Sequence, residues 1–84
     1  MKAKLKRGIL LVLSAWAGLP MPEGSLVSAV QSHARMERPT EGDVLDALKD
    51  CEAEGYVSGA TDEFSGERSW TLTDKGVHKA RQVR

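Results

Sequence analysis

The sequence predicts a mostly helical α+β fold, and three observations support that prediction. The chain has 84 residues, enough for one domain with one small hydrophobic core. Three segments before Gly55 carry apolar residues at helical spacing. Two short segments after it, Tyr56-Val57 and Ser69–Leu72, have the aromatic and β-branched residues of strands and flank a polar turn, which predicts a β-hairpin.

The first helix is predicted over about residues 4–18, ending before Pro20. Its apolar stripe consists of Leu5, Ile9, Val12, Leu13 and Trp16. A second apolar group lies on the opposite side of the helix: Leu10, Leu11 and Ala17. The second group predicts one of two arrangements, because so small a core cannot bury both faces. Either the C-terminal helix covers it, or two copies form a homodimer there.

The second and third helices are predicted over about residues 24–34 and 40–55. Ser25 is the expected cap of the second helix. Thr40 is the expected cap of the third, with Asp43 completing a capping box, and Gly55 ends that helix.

The hairpin is predicted over about residues 56–73 and a short last helix over about 73–84, capped by Thr73. Trp70 and Leu72 are expected on one side of the second strand. The best-buried positions are predicted to include Leu5, Ile9, Val12, Trp16, Val44, Leu48, Val57, Trp70 and Leu72.

Charge is balanced over the whole chain but not along it. Twelve Lys and Arg residues match twelve Asp and Glu residues, so no overall field favours nucleic acid or a membrane. Basic groups concentrate at the two ends. The third helix has six acids against one base, Lys49, and that excess would repel phosphate. The acids are Glu41, Asp43, Asp46, Asp50, Glu52 and Glu54.

Two motifs carry a resemblance to a known family. The third helix ends in Leu48-Lys49-Asp50-Cys51-Glu52-Ala53-Glu54-Gly55-Tyr56-Val57, and the hairpin ends in Trp70-Thr71-Leu72-Thr73-Asp74-Lys75-Gly76. With the order of elements, these segments resemble the winged helix-turn-helix domains of small bacterial and phage regulators, with Cys51 replacing a leucine. The resemblance implies a three-helix core, a small antiparallel β wing and a short C-terminal helix.

The same resemblance implies a small DNA-binding transcriptional regulator whose partner is duplex DNA. In the family, the exposed face of the third helix contacts bases and the wing contacts the adjacent groove and backbone. Those positions here are Thr40–Asp43, Asp46, Lys49 and Asp50 on the helix, and residues 62–68 on the wing. Because the helix is acidic, most phosphate contacts are expected from bases elsewhere. The nucleic-acid-binding candidates are Lys2, Lys4, Lys6, Arg7, Arg35, Arg38, Thr40, Lys49, Arg68, Lys75, Lys79 and Arg81.

A protein-interaction module of the same fold is the alternative. In that interpretation Asp43, Asp46 and Asp50 bind a basic protein partner or mimic the charge of DNA. The apolar group Leu10, Leu11 and Ala17 then forms the homodimer contact. The salt dependence of duplex DNA binding separates the two interpretations.

Several function classes lack support in the sequence. Cys51 is the sole cysteine, so no intramolecular disulfide forms, and its place on an apolar helix face is typical of a buried thiol. No phosphate-binding loop, nucleophile motif or metal-ligand spacing is present, so neither catalysis, a cofactor nor a metal is predicted.

A cytoplasmic protein is predicted, and no segment has the roughly twenty apolar residues of a membrane helix. As an alternative, residues 1–17 resemble a secretory signal peptide: a basic start, a short apolar run and Ala15-Trp16-Ala17. Helical spacing in the same residues favours a helix of the folded domain instead.

Overall fold

Four helices and a three-stranded sheet form the domain. The computed structural model describes residues 2–16 and 18–83. In chain order the elements are α1 (Lys2–Ala15), β1 (Met21–Pro22), α2 (Glu23–His33), α3 (Glu41–Ala53), β2 (Val57–Thr61), β3 (Arg68–Leu72) and α4 (Asp74–Val83). The sheet is antiparallel in the order β1-β3-β2, with Trp70 of β3 opposite both Met21 and Gly59.

One hydrophobic core joins the first three helices to the sheet. Its most deeply buried large side chains are Leu5, Ile9, Leu13, Leu26, Val30, Val44, Leu48, Cys51 and Trp70. The expected burial of Leu5, Ile9, Val44, Leu48, Val57 and Trp70 is confirmed. Val12 and Leu72 are half-buried at the edge of this core.

The expected signals at the ends of α3 are confirmed. The backbone N–H of Asp43 donates to Thr40 Oγ1 at 3.1 Å, and the backbone N–H of Thr40 donates to Asp43 Oδ2 at 3.0 Å. At the other end Gly55 has φ +83°, which lets the N–H of Tyr56 bond to the carbonyl of Cys51 at 2.9 Å. Both ends of α3 are therefore fixed by local chemistry.

The Thr-x-x-Gly motif at the start of α4 has a steric explanation. Thr73 Oγ1 accepts from the N–H of Gly76 at 3.0 Å, so Thr73 caps the helix as expected. A Cβ atom at position 76 would lie 1.9 Å from the carbonyl oxygen of Tyr56. Only glycine allows α4 to approach the chain between α3 and β2 so closely.

Two expectations about the early helices were wrong. Ser25 does not cap α2, which begins at Glu23 with Pro22 before it and no side-chain cap. Trp16 is 43% exposed, because α1 ends at Ala15 and the helical stripe does not continue past that point. The Trp16 indole instead donates to the carbonyl of Pro20 at 3.2 Å.

The second apolar side of α1 packs within the same chain. Leu10 is only 3% exposed and lies beside Lys79 and Val83 of α4. Leu11 is half-buried, and the predicted third member, Ala17, lies outside the described residues. Leu10 is therefore not an exposed dimer contact, since the C-terminal helix covers it.

The N-terminal segment that resembles a signal peptide supplies structural residues of the domain. Leu5, Ile9 and Leu13 of α1 all point into the core. Within the described part of the chain, no helix combines the length and apolar character needed to span a bilayer.

Candidate nucleic-acid interface

Two acids at the end of α3 are paired with lysines of α1. Lys2 Nζ lies 3.0 Å from Asp50 Oδ2, and Lys6 Nζ forms a close hydrogen-bonded ion pair with Glu54. Asp43 and Asp46 line a small depression with Lys2. These four acids, Asp43, Asp46, Asp50 and Glu54, form what we term the α1-facing flank.

A third N-terminal lysine is paired on a different element. Lys4 Nζ lies 2.8 Å from Glu37 Oε1 in the turn between α2 and α3, and this hydrogen bond lowers the pKa of Glu37. The hydrogen bond that Lys6 donates to Glu54 likewise raises the pKa of Lys6, against the opposing effect of burial. The predicted basic patch of Lys2, Lys4 and Lys6 is thus paired with acids of the same chain, while the side chains of Lys2 and Lys4 remain 57% and 71% exposed.

The opposite side of α3 presents bases without acidic partners. Lys49 and Arg68, from α3 and the start of β3, line one open groove between the helix and the wing. Within residues 2–16 and 18–83 neither forms an ion pair. We call this the wing-facing groove; its other lining residues are Glu23, Leu45, Leu48 and Trp70.

Trp70 organises the floor of the wing-facing groove. Its indole N–H donates to Glu23 Oε1 at 3.1 Å, and the Arg68 guanidinium lies 5.0 Å from the centre of its ring system. Stacking on an aromatic face restricts the guanidinium while leaving N–H donors available for a phosphate or a base edge. Sequence reasoning missed Glu23 because its contact with Trp70 joins residues distant in the chain.

The turn that leads into α3 adds two further bases. Arg35 and Arg38 are exposed, and among the described residues no acid pairs with either. Gln31 Nε2 donates to the carbonyl of Pro39 at 3.1 Å, which ties the turn to α2. Arg38 has φ +49°, an uncommon value for a residue other than glycine. The candidate residue Thr40 is used as the α3 cap.

The basic candidates on α1 and α4 have other surroundings. Lys75 donates to the carbonyl of Glu54 at 2.8 Å and lies over the Tyr56 ring. It therefore provides a hydrogen-bond donor for a carbonyl group at the end of α3. Arg7 and Lys79 line a hollow between α1 and α4. Arg81 is exposed on α4. None of these four residues lines the wing-facing groove.

The wing tip is ordered but acidic. Asp62 Oδ1 accepts from the N–H of Phe64 at 2.8 Å, and the N–H of Gly66 bonds to the Asp62 carbonyl at 2.8 Å. Phe64 is 93% exposed, and Glu63 and Glu67, close to it in the sequence, are exposed as well. In the predicted wing segment 62–68, only Arg68 at its base provides a positive charge.

The residues predicted for a basic protein partner do not form an open acidic surface. Asp43 is engaged in the α3 cap, Asp50 is paired with Lys2, and Leu10 is buried. Asp46 is exposed. The alternative based on an exposed acidic helix and an apolar seam therefore loses its main structural support.

Cys51 has the environment of a core residue. It is fully buried, and burial raises the pKa of its thiol to about 11. A thiol with so high a pKa is a poor nucleophile at neutral pH. Within the described residues, no cluster of three or more His, Cys, Asp or Glu side chains is arranged to hold a metal ion.

The three-helix core, the β1-β3-β2 sheet and the hairpin beside α3 define a winged helix-turn-helix domain. Three solved structures share this fold. SSV1 F-93 matches with a TM-score of 0.71 and 22% identity, covering 93% of this chain and 80% of that chain. A PadR-like transcriptional regulator from Bacillus cereus strain ATCC 14579 matches with a TM-score of 0.74 and 19% identity, covering 98% and 79%.

The third similar structure is a mutant of MepR from a multidrug-resistant S. aureus clinical isolate. Its TM-score is 0.74 and its identity 18%, with 93% of this chain and 53% of that chain covered. The present chain thus spans about half of the MepR chain. No family model matches this sequence, and neither does any curated protein. At these identities the similar structures establish the fold alone.

Proposed function

We propose that this protein is a DNA-binding transcriptional regulator that binds duplex DNA with the wing-facing side of α3. Lys49 and Arg68 are the principal contacts, and Arg35 and Arg38 contact the phosphate backbone beside the start of α3. One of the similar structures is named a PadR-like transcriptional regulator, which agrees with this assignment. The protein acts by binding rather than catalysis.

The observation that carries the proposal is the separation of charge across α3. Lys49 and Arg68 line one groove and lack acidic partners among the described residues. Asp50 and Glu54 lie on the other flank, each beside a lysine of α1. The groove has two bases against one acid, Glu23, and so offers net positive charge to a phosphate, although the helix as a whole carries excess acid.

The two principal bases have different roles. Arg68 has a planar guanidinium stacked on Trp70, and it is suited to two parallel hydrogen bonds with a phosphate or with guanine. Lys49 provides a compact charge on an exposed helix position, which suits a phosphate oxygen. Sequence discrimination is therefore expected mainly from Arg68, and register on the backbone mainly from Lys49.

The test is the salt dependence of binding to a random-sequence DNA duplex, measured by fluorescence anisotropy between about 50 and about 200 mM salt. Each phosphate contact contributes about 0.9 to the slope of log affinity against log salt. Lys49→Ala is expected to reduce the slope by about that amount, and Arg68→Ala by less, because Arg68 is assigned mainly to base contacts.

Arg81→Ala is the matched control, because it removes one exposed positive charge from α4 without altering the groove. Its slope is expected to equal that of the unmodified protein. A slope near zero for the unmodified protein would remove the DNA-binding proposal. Equal losses for Lys49→Ala and Arg81→Ala would show that binding is not centred on the groove.

A further inference from the structure

Two helices of this domain carry matching pairs of opposite charge. Lys2 and Lys6 are four residues apart on one face of α1, and Asp50 and Glu54 are four residues apart at the end of α3. Residues at that spacing lie one above the other on a helix. Where α1 packs on α3, Lys2 meets Asp50 and Lys6 meets Glu54. The correspondence is a property of the packed fold.

The pairing changes the field that α3 presents to its surroundings. An unpaired carboxylate near the binding face would repel phosphates within about one Debye length, which is about 10 Å at 0.1 M salt. A carboxylate with an ammonium group 3.0 Å away, as at Asp50, forms a short dipole whose field falls off much faster. Lys2 and Lys6 therefore neutralise charge that would oppose DNA binding.

We propose that Lys2 and Lys6 set the affinity of the α3 surface for DNA as internal counter-ions of Asp50 and Glu54, without contacting the phosphates themselves. The proposal rests on the proposed function and adds a means of regulating it. Any change that removes the positive charge of these lysines exposes the acids and weakens DNA binding. The lysines are positioning residues, since they act through the acids.

The competing interpretation is that the N-terminal lysines bind phosphate directly. The two interpretations predict different outcomes when the acid partners are removed as well. If Lys2 and Lys6 are counter-ions, neutral residues at Asp50 and Glu54 make them unnecessary. If they are phosphate ligands, removing the acids cannot restore the lost contacts.

The experiment compares the DNA affinity of the unmodified full chain with that of a variant carrying two substitutions and a variant carrying four. It is done at about 100 mM salt, where screening is moderate. The double substitution Lys2→Met and Lys6→Met is expected to weaken DNA binding about five-fold. The carboxylates of Asp50 and Glu54 are then unpaired and repel several phosphates, although salt screens part of the repulsion. Adding Asp50→Asn and Glu54→Gln is expected to restore affinity to within about two-fold. The conservative variant Lys2→Arg should retain full affinity.

Two controls accompany these measurements. Arg81→Met removes one exposed charge from α4, where no described acid pairs with it, and should change affinity by less than about 1.5-fold. Urea unfolding of each variant separates loss of folding from loss of affinity. If the variant with all four substitutions does not recover DNA affinity, and its salt slope is lower by about 1.8, the lysines are phosphate ligands and the proposal is overturned.

A measurement without DNA separates failure of this proposal from failure of the proposed function. The Glu54 hydrogen bond raises the pKa of Lys6, so Glu54→Gln should lower the pKa of Lys6 measured by NMR titration. No change in that pKa would overturn the counter-ion pairing, whether or not DNA binds. If the pKa of Lys6 is lowered but the protein binds no DNA at any salt concentration, the ion pair is present and the proposed DNA-binding function fails. The regulatory role is then overturned because there is no DNA binding to regulate.

Discussion

The two sides of α3 differ in how their charges are partnered. On the α1-facing flank, Asp50 and Glu54 have lysine partners from α1, and the charges of these two pairs largely cancel. On the wing side, Lys49 and Arg68 have no acidic partner among the described residues. Two of the six acids counted along the helix are thus paired, while Glu41, Asp46 and Glu52 remain exposed without an ion pair among the described residues. Packing decides which of the charges are paired.

The largest expected effect tests the floor of the wing-facing groove. Trp70→Ala removes a ring that is only 2% exposed and contacts Arg68 and Glu23. We expect the free energy of unfolding to fall by about 3–5 kcal/mol, which is enough to unfold a domain of this size. Urea denaturation followed by circular dichroism measures the loss.

Trp16→Ala is the control for Trp70→Ala. Trp16 is partly exposed beyond the end of α1 and is expected to contribute less than about 1 kcal/mol. Equal destabilisation by the two substitutions would show that Trp70 is not the main support of the wing side.

A smaller effect is expected from adding one methyl group beside the same ring. A Cβ atom at position 59 would lie 2.9 Å from Trp70 Cζ3, so Gly59→Ala must displace the ring or bend β2. Overpacking of this kind costs about 1–3 kcal/mol. The displacement should also weaken the stacking of Arg68 and reduce DNA affinity. Thermal unfolding and anisotropy measure the two effects.

Ser58→Ala, at the neighbouring exposed position of β2, provides a matched control for Gly59→Ala. It should leave both stability and DNA affinity nearly unchanged. If Gly59→Ala is as harmless as Ser58→Ala, the close contact between β2 and Trp70 is not required for the wing-facing groove.

The smallest effect concerns Cys51, near the α1-facing flank. Its thiol has a pKa of about 11 in the folded protein against an ordinary value of 9.0, so folding favours the protonated form. That stabilisation is fully present below pH 9.0 and is lost progressively as pH rises toward 11. Unfolding free energy should fall by at most about 1.4 kcal/mol per pH unit in that interval.

Urea denaturation from about pH 8 to about pH 10 measures this dependence. Cys51→Ala should show a flatter dependence than the unmodified protein. An identical pH profile for the two proteins would mean that Cys51 does not titrate differently on folding.

Local sequence signals predicted the parts of the fold that depend on neighbouring residues. Thr40 with Asp43, Gly55 and Thr73 each act through backbone atoms within a few positions, so the sequence alone specifies their roles. The helical stripe failed at Trp16, because periodicity does not reveal where a helix stops.

The arrangement of the candidate site depends on contacts distant in the chain. Lys2 and Asp50 are separated by most of the first three helices, and Glu23 reaches Trp70 only after the sheet has formed. Burial of Leu10 likewise requires α4 to return to α1. Sequence spacing within one element gives no direct information on such pairs. The sequence identified the basic candidate residues, but it did not identify the residues that pair with them in the fold.

The environment of Trp70 gives the protein an intrinsic optical reporter. Its indole is buried, is hydrogen-bonded to Glu23 and lies against the Arg68 guanidinium, whereas Trp16 is partly exposed at the far end of α1. A duplex that draws Arg68 away from the ring alters the electric field on one of the two fluorophores. Fluorescence of the Trp16→Phe variant isolates the Trp70 emission, so occupancy of the wing-facing groove can be followed without attaching a dye.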